Sequence, residues 1–272
     1  MFRLETRKTR LSAALSIAEL IYHSTVRTAR GNHSNALFGL IMNIVQSALF
    51  ILALYITMTL LGMRSNAMRG DFVMFLMSGV MSYMTYNRTM KAVFRAEGST
   101  SPMMLHAPMT TAVSIASAAL SALYLQILST VMILFIYHVV FKPIEVNDPP
   151  FAFAMMLVAW LFGIGTGMVL LAIRPWAPKL APILQLIVTR VNVFASGKMM
   201  VGNALSFSLL KFFDWNPLFH VIDQMRGALF INYVPRNSST SYAIWVSVAL
   251  IAVGLMGEFF TRKHSSQSWS AR

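Results

Sequence analysis

Apolar residues in this chain come in six long runs, at about 36–61, 71–87, 112–141, 151–173, 181–201 and 242–260. A helix rises about 1.5 Å per residue and a hydrocarbon core is about 30 Å thick, so the pattern predicts six transmembrane helices. Ahead of them, between Leu11 and Gly31, Ser12, Ser16, Glu19, His23, Arg27 and Arg30 recur every three or four positions. Leu15, Ala18, Ile21, Tyr22, Val26 and Ala29 fall on the other side, which is the period of an amphipathic helix. Its basic polar face suits a membrane surface, with a soluble partner as the other reading.

A different pattern separates the fifth and sixth runs. A short apolar stretch, Ala204 to Phe213, is followed by Asp214-Trp215-Asn216-Pro217 and then by Leu218 to Ile231. Asn216 is a good helix cap, and Pro217 suits the first helical position, where its missing N–H would be unpaired anyway. The helix that starts there reaches only about 20 Å, too short to span. The two stretches therefore predict a re-entrant helix pair over 202–233, or an amphipathic pair lying flat on the membrane. Irregular backbone at membrane depth needs protein or water around it, so the re-entrant form implies a pathway.

Composition agrees with a polytopic membrane protein: 57% of the 272 residues are apolar and 11% charged. Cysteine is absent, which removes disulfides, thiolate metal sites and a thiol nucleophile. The net charge of +13 points to nucleic acid only until the positions are read, because the basic residues sit mostly at the ends of the runs. Six spans place both termini on one side. Fourteen lysines and arginines lie in segments on that side and seven on the other, with Arg190 inside a run, so the termini are expected in the cytoplasm. The first residues lack a small-residue cleavage site, and Glu19 breaks the apolar stretch behind them, so no signal peptide is expected.

Within this frame, residues 88–111 form a long cytoplasmic segment mixing Lys91, Arg95 and Glu97 with Met103, Met104, Leu105, His106 and Pro108. Part of it should be a short helix, either docking through adaptable methionines or resting on the bilayer. Arg190 lies near the middle of its run and either faces a protein or hydrated interior or snorkels to the interface. Gly163, Gly165 and Gly167 resemble a small-residue stripe for close helix packing.

Little else carries chemistry. Gly197-Lys198 lacks the upstream glycine and the following hydroxyl of a phosphate-binding loop, so any ATP must be hydrolysed by another subunit. None of the six histidines has metal-ligand spacing. His220, Asp223 and Arg226 fall three apart on one helix face, either as a local polar face or with Arg226 as a substrate contact. No carboxylate is expected mid-span, which disfavours a proton-coupled carrier.

The series ELIYHSTVRTARGN before the first run, MLHAPMT closing the cytoplasmic segment, FASGKMM, and WNPLFHVIDQMRGALFINY before the last run resembles a known family. It is similar in order to the permease subunit of type-2 ABC transporters that export polysaccharide, most closely the capsule exporters. Lys198-Met199-Met200 departs from the more aromatic patch expected there. The resemblance implies one permease domain over 1–272. It comprises an interface helix at 11–31 (Glu19, Tyr22, Arg27, Arg30) and spans one to five over 36–201, with an ATPase-coupling segment at 88–111 (Arg95, Glu97, Met103, Met104, His106, Pro108). Gate helices at 202–233, a sixth span at 242–260 and a cytoplasmic tail at 261–272 complete it. The path and gate would involve Arg190, Trp215, Asn216, Pro217, Phe219, His220, Asp223, Arg226 and Tyr233. A homodimer with two copies of a P-loop ATPase is implied, with ATP and magnesium on the ATPase and no cofactor on this chain. Further implied partners are lipid-linked polysaccharide, membrane lipid and periplasmic or outer-membrane capsule export proteins, with no nucleic acid, in a bacterial inner membrane. Export of O-antigen, teichoic acid or a drug, and a membrane-embedded transferase, are the competing expectations. Scarce carboxylates weigh against the transferase.

Overall fold

The computed structural model describes residues 10–30, 36–62, 71–98 and 110–264. Among these residues the chain is all-helical, with nine α-helices: α1 (Arg10–Arg30), α2 (Ala36–Leu60), α3 (Phe72–Phe94), α4 (Thr111–Val140), α5 (Pro149–Ile173), α6 (Leu180–Ala195), α7 (Phe207–Phe213), α8 (Pro217–Leu229) and α9 (Thr240–His264). Four of them, α2, α4, α5 and α9, are long and apolar enough to cross a membrane. α3 has the length but not the apolarity, and α6 is apolar but only 16 residues long.

Both departures have local causes. Eighteen of the 23 residues of α3 are buried, so its Ser78, Ser82, Thr85 and Asn87 meet protein and the helix needs no apolar outer face. It also continues past residue 87, where the apolar run stops, because Arg88 is satisfied by its neighbours: Nη1 donates to Gln126 of α4 at 2.6 Å, and Nη2 to the Asn43 carbonyl and the Ser47 hydroxyl of α2 at 2.8 and 3.0 Å. The expected cytoplasmic segment 88–111 thus begins inside a helix. α6 stops at Ala195, six residues before its run ends, because Gly197 turns the chain with φ +63°.

Side-chain and backbone contacts fix helix directions. Gly163 and Gly167 of α5 meet Tyr86 and Met90 of α3, while Gly254 and Gly257 of α9 meet Met168 and Ala172 of α5, so these three helices run parallel. α4 runs against α3, pairing Gln126 with Arg88 and Tyr137 with Asp71. α2 also runs against it, with Phe50 on Tyr83 and Tyr55 on Phe72. The bundle consequently has two distinct ends. One carries Lys91, Arg95, Arg174, Lys179, Arg262 and Lys263 against Glu97 and Glu258, and is basic. Arg174 closes α3 there, donating to the carbonyls of Phe94 and Ala96 at 3.0 and 3.1 Å. The other end, where α3, α5 and α9 begin, holds α7 and α8.

The three glycines of α5 do not form one stripe. Gly163 and Gly167 face α3, and Gly165 faces α9, where a Cβ would stand 2.7 Å from Leu250 Cβ and 3.0 Å from the Ser247 carbonyl. α5 is therefore the shared wall of two close helix pairs. A Cβ at Gly163 would lie 2.7 Å from the Tyr86 carbonyl oxygen, so neighbouring backbone must move. Gly163→Ala and Gly165→Ala are each expected to cost about 1–3 kcal/mol. Gly98→Ala, whose Cβ would meet nothing closer than 3.5 Å, serves as the control. Thermal unfolding midpoints in detergent check this, and equal midpoints for all three would contradict the packing.

α1 packs on α4, with the Ser24 hydroxyl 3.1 Å from that of Ser117. Glu19, Tyr22 and Arg27 lie on its exposed side, and Glu19 comes within 3.8 Å of His23. Arg30 ends the helix. Of the expected coupling residues, Arg95 is exposed and caps α3, and the Glu97 N–H donates to the Ser114 hydroxyl at 3.0 Å; Met103, Met104, His106 and Pro108 lie outside the described residues.

Candidate functional site

The residues that the sequence groups after α6 converge on α8. As the pattern predicts, Asn216 caps this helix, its Oδ1 accepting from the Leu218 N–H at 3.0 Å, with Pro217 in the first turn. The same side chain reaches across the fold: its Nδ2 donates to Asn192 Oδ1 and to the Ala195 carbonyl, both at 2.9 Å. Asn192 in turn donates to the Tyr86 hydroxyl of α3 at 3.1 Å. One asparagine thus caps α8 and ties it to the end of α6.

α8 runs from Pro217 to Leu229, two residues short of the expected Ile231, and ten of its 13 residues are buried. α7 has no buried residue, and Phe207 and Phe212 are exposed. The pair is accordingly asymmetric, one helix inside the protein and one on its surface, so α8 does not lie flat with its partner. Nor do His220, Asp223 and Arg226 form a solvated polar face. All three are buried, and each binds something other than its neighbours on the helix.

Arg226 donates from Nη1 to the Met200 carbonyl and from Nη2 to the Lys198 carbonyl at 2.6 Å, while its guanidinium lies 4.0 Å from the Phe75 ring centroid. The planar fork holds the Lys198 and Met200 carbonyls at once, as a single ammonium could not. Asp223 accepts from the Tyr233 hydroxyl and, at 2.7 Å, from the Ser238 hydroxyl. Burial and the adjoining Asp223 push the Tyr233 phenol above its ordinary range, so the proton stays on the phenol and the bond runs from Tyr233 to the carboxylate. Gly202 lies against that carboxylate, since a Cβ there would stand 2.5 Å from Oδ1. His220 accepts the Ser239 N–H at Nδ1, 3.0 Å away, which leaves the proton on Nε2, 2.7 Å from the Asp214 carbonyl. Gln224 donates to the Ser238 carbonyl and hydroxyl at 3.0 Å. These bonds join α8 to the loop segments on both sides and to the start of α9.

Lys198, one of the seven basic residues counted on the side away from the termini, is buried. Its ammonium donates to the Val193 carbonyl at 2.7 Å and sits 3.9 and 5.0 Å from the ring centroids of Tyr83 and Phe50. Phe219 packs against Phe213 and Gly197, and Pro217 is buried. Trp215 is exposed, contributing its carbonyl to the Tyr242 hydroxyl at 2.8 Å. Arg190 is not part of the cluster: it stands on the exposed side of α6 beside Ile187, Val191 and Phe194. The apolar side of α8 completes a cavity of about 220 Å³ between α3, α4 and α5, where Met225 and Leu229 face Met74, Met77, Met81 and Met156.

Sequence reasoning missed Asn192, Lys198, Gly202, Gln224 and Ser238 as parts of this cluster. Ser238 for Gln224, Asp223 for Gly202, Tyr86 for Asn192 and the Tyr83 ring for Lys198 are distant along the chain, so no local spacing marks them. Chemically, the donors and acceptors of His220 and Asp223 are engaged within the fold, an arrangement suited to holding a helix in place. Among the described residues no group of histidine and carboxylate side chains could hold a metal ion. The sequence matches no protein-family model and no curated protein.

Proposed function

We propose that this chain is the membrane subunit of an ATP-driven exporter that moves a lipid-linked, capsule-type polysaccharide across a bacterial inner membrane. It works as a homodimer with two copies of a separate P-loop ATPase, which binds the ATP and magnesium, and delivers to periplasmic or outer-membrane export proteins. The observation that carries the reading is α8. It is too short to span, yet buried, and it is held at one end of an apolar bundle by polar clasps. Leu218, Val221, Ile222 and Met225 also pack in the apolar core, but the clasps can exchange for water or sugar hydroxyls, which gives the helix a way to open and reseal a path.

The remaining features support the same assembly. The basic end suits the cytoplasmic face by the distribution of lysine and arginine, which puts α8 and α7 outside. α3 and α6 complete six spans, the first shielded by its neighbours and the second prolonged by the 196–201 segment. Arg190 lies among exposed apolar side chains, where lipid contact would cost several kcal/mol. A second copy covering α6 would turn Arg190 inward, toward a path on the two-fold axis. Energy enters at the basic end, through Arg95, Glu97 and the 99–109 segment. A photo-cross-linker at Met104 or His106 is expected to capture the P-loop ATPase encoded beside this chain, and loss of either protein is expected to abolish surface polysaccharide. Cross-links to lipid alone, with polysaccharide intact after deletion, would overturn the reading.

A further inference from the structure

We propose that the cleft between α1, α2, α3 and α4 at the basic end binds the phosphate head of an anionic lipid, whose hydrocarbon chain lies in the groove that continues from it. The cleft has a volume of about 600 Å³ and is lined by Arg27, Arg88, Lys91 and Arg95, against which Glu97 is the one carboxylate among the described residues. Four cations with a single counter-charge in one concave site leave an excess that only an anion relieves, and guanidinium and ammonium donors match phosphate oxygens. Arg88 already spends both terminal nitrogens on Gln126, Asn43 and Ser47, and is thereby fixed at the cleft wall, while its buried Nε has no acceptor among the described residues.

The second half of the argument is what adjoins the cleft. A groove of about 460 Å³ runs along α2, lined by Met42, Val45, Leu49 and Leu125, and Thr28, Asn43, Gln46 and Leu125 belong to both spaces. Leu49 and Met42 are 59% and 46% exposed, so the groove opens on the outside of the bundle. α2 is long and apolar enough to cross a membrane, which puts this groove at the level of hydrocarbon chains. A charged pocket opening sideways into an apolar groove fits an amphiphile. A soluble anion would fill only the first space, and a soluble protein cannot follow α2 into the bilayer. The inference rests on the membrane placement of α2 and is independent of export.

Retention of dioleoyl phosphatidylglycerol by the detergent-purified full-length protein, measured by native mass spectrometry, tests it. Each basic group near an anionic lipid is worth about fivefold in affinity, so Arg27→Gln with Lys91→Gln is expected to lower retention about thirtyfold. Arg262→Gln with Lys263→Gln, at the same end but outside the cleft, is expected to leave it unchanged. Both cleft side chains are at least partly exposed, and an unaltered unfolding midpoint verifies that the double variant folds. Val45→Asp is expected to weaken the lipid while leaving glycerol 3-phosphate unaffected. Competition by a polyprenyl phosphate against phosphatidylglycerol identifies which lipid is preferred. Equal retention by the cleft variant, or equal retention of phosphatidylcholine by the parent, overturns the proposal. So does a cleft variant that keeps the lipid and loses only capture of the ATPase, since the surface would then be a protein contact.

Discussion

Arg226→Ala is expected to lower the stability of the protein by about 3–5 kcal/mol, through a buried void and stranded acceptors together. Three losses coincide there. The carbonyls of Lys198 and Met200 lose their donors while remaining inside the fold, the Phe75 ring loses a cation, and a large side chain with 1% exposure leaves a void. Arg226→Lys keeps a charge but offers one ammonium where two donors are set apart in a plane, so it is expected to fall between the parent and the alanine variant. Hydrogen exchange at 198–202 distinguishes this from general unfolding. Release of the segment in Arg226→Lys, with α5 and α9 still protected, is the expected pattern, and an alanine variant with the unfolding midpoint of the parent would contradict it.

Arg88→Ala is the second large effect, expected at about 2–4 kcal/mol because it strands buried acceptors at the other end of the bundle. Arg88 holds three helices through one guanidinium, reaching Gln126 on α4 and both Asn43 and Ser47 on α2. Gln126 is fully buried, and among the described residues its amide otherwise meets the Thr130 hydroxyl and the Met81 sulfur, so losing Arg88 strands its carbonyl oxygen. α2 has few buried residues of its own, Ile51, Ser47, Leu54 and Met58 among them. It is therefore expected to become the most exchange-labile of the long helices in Arg88→Ala. Retention of normal protection over 43–51 would show that apolar packing alone holds α2.

How much of the fold was legible in the sequence depends on how locally each feature is determined. A side chain that caps a helix marks its start locally, and Asp71, Thr110 and Asp148 do so for α3, α4 and α5, although only the apolar runs behind them were read. Asn216-Pro217 marked the start of α8 for the same reason. Periodicity could not reveal that α3 continues through Arg88 and Lys91, since the partners that make a mid-helix arginine tolerable lie on other helices. Nor could it show that Lys198, near the end of the 181–201 run, is buried, since that depends on the approach of Tyr83 and Phe50 from other helices. His220, Asp223 and Arg226 were recognisable as one set from their spacing. Their partners were not, because Ser238, Ser239, Tyr233 and the 198–200 carbonyls are brought to α8 by turns whose geometry local composition does not specify.

The central claim, that α8 opens during transport, is tested most directly by locking it. Gln224 of α8 meets Ser238 ahead of α9 through the tip of its side chain at 3.0 Å, and the chain has no cysteine of its own, so Gln224→Cys with Ser238→Cys, joined by a short bis-methanethiosulfonate reagent that reduction cleaves, gives a single bridge on a clean background. The measurement is polysaccharide on the cell surface, normalised to permease in the membrane, before and after reduction. The account predicts that the bridged double variant inserts normally and delivers none, and that reduction restores delivery. Undiminished surface polysaccharide with the bridge formed would contradict it, leaving α8 a fixed part of the bundle.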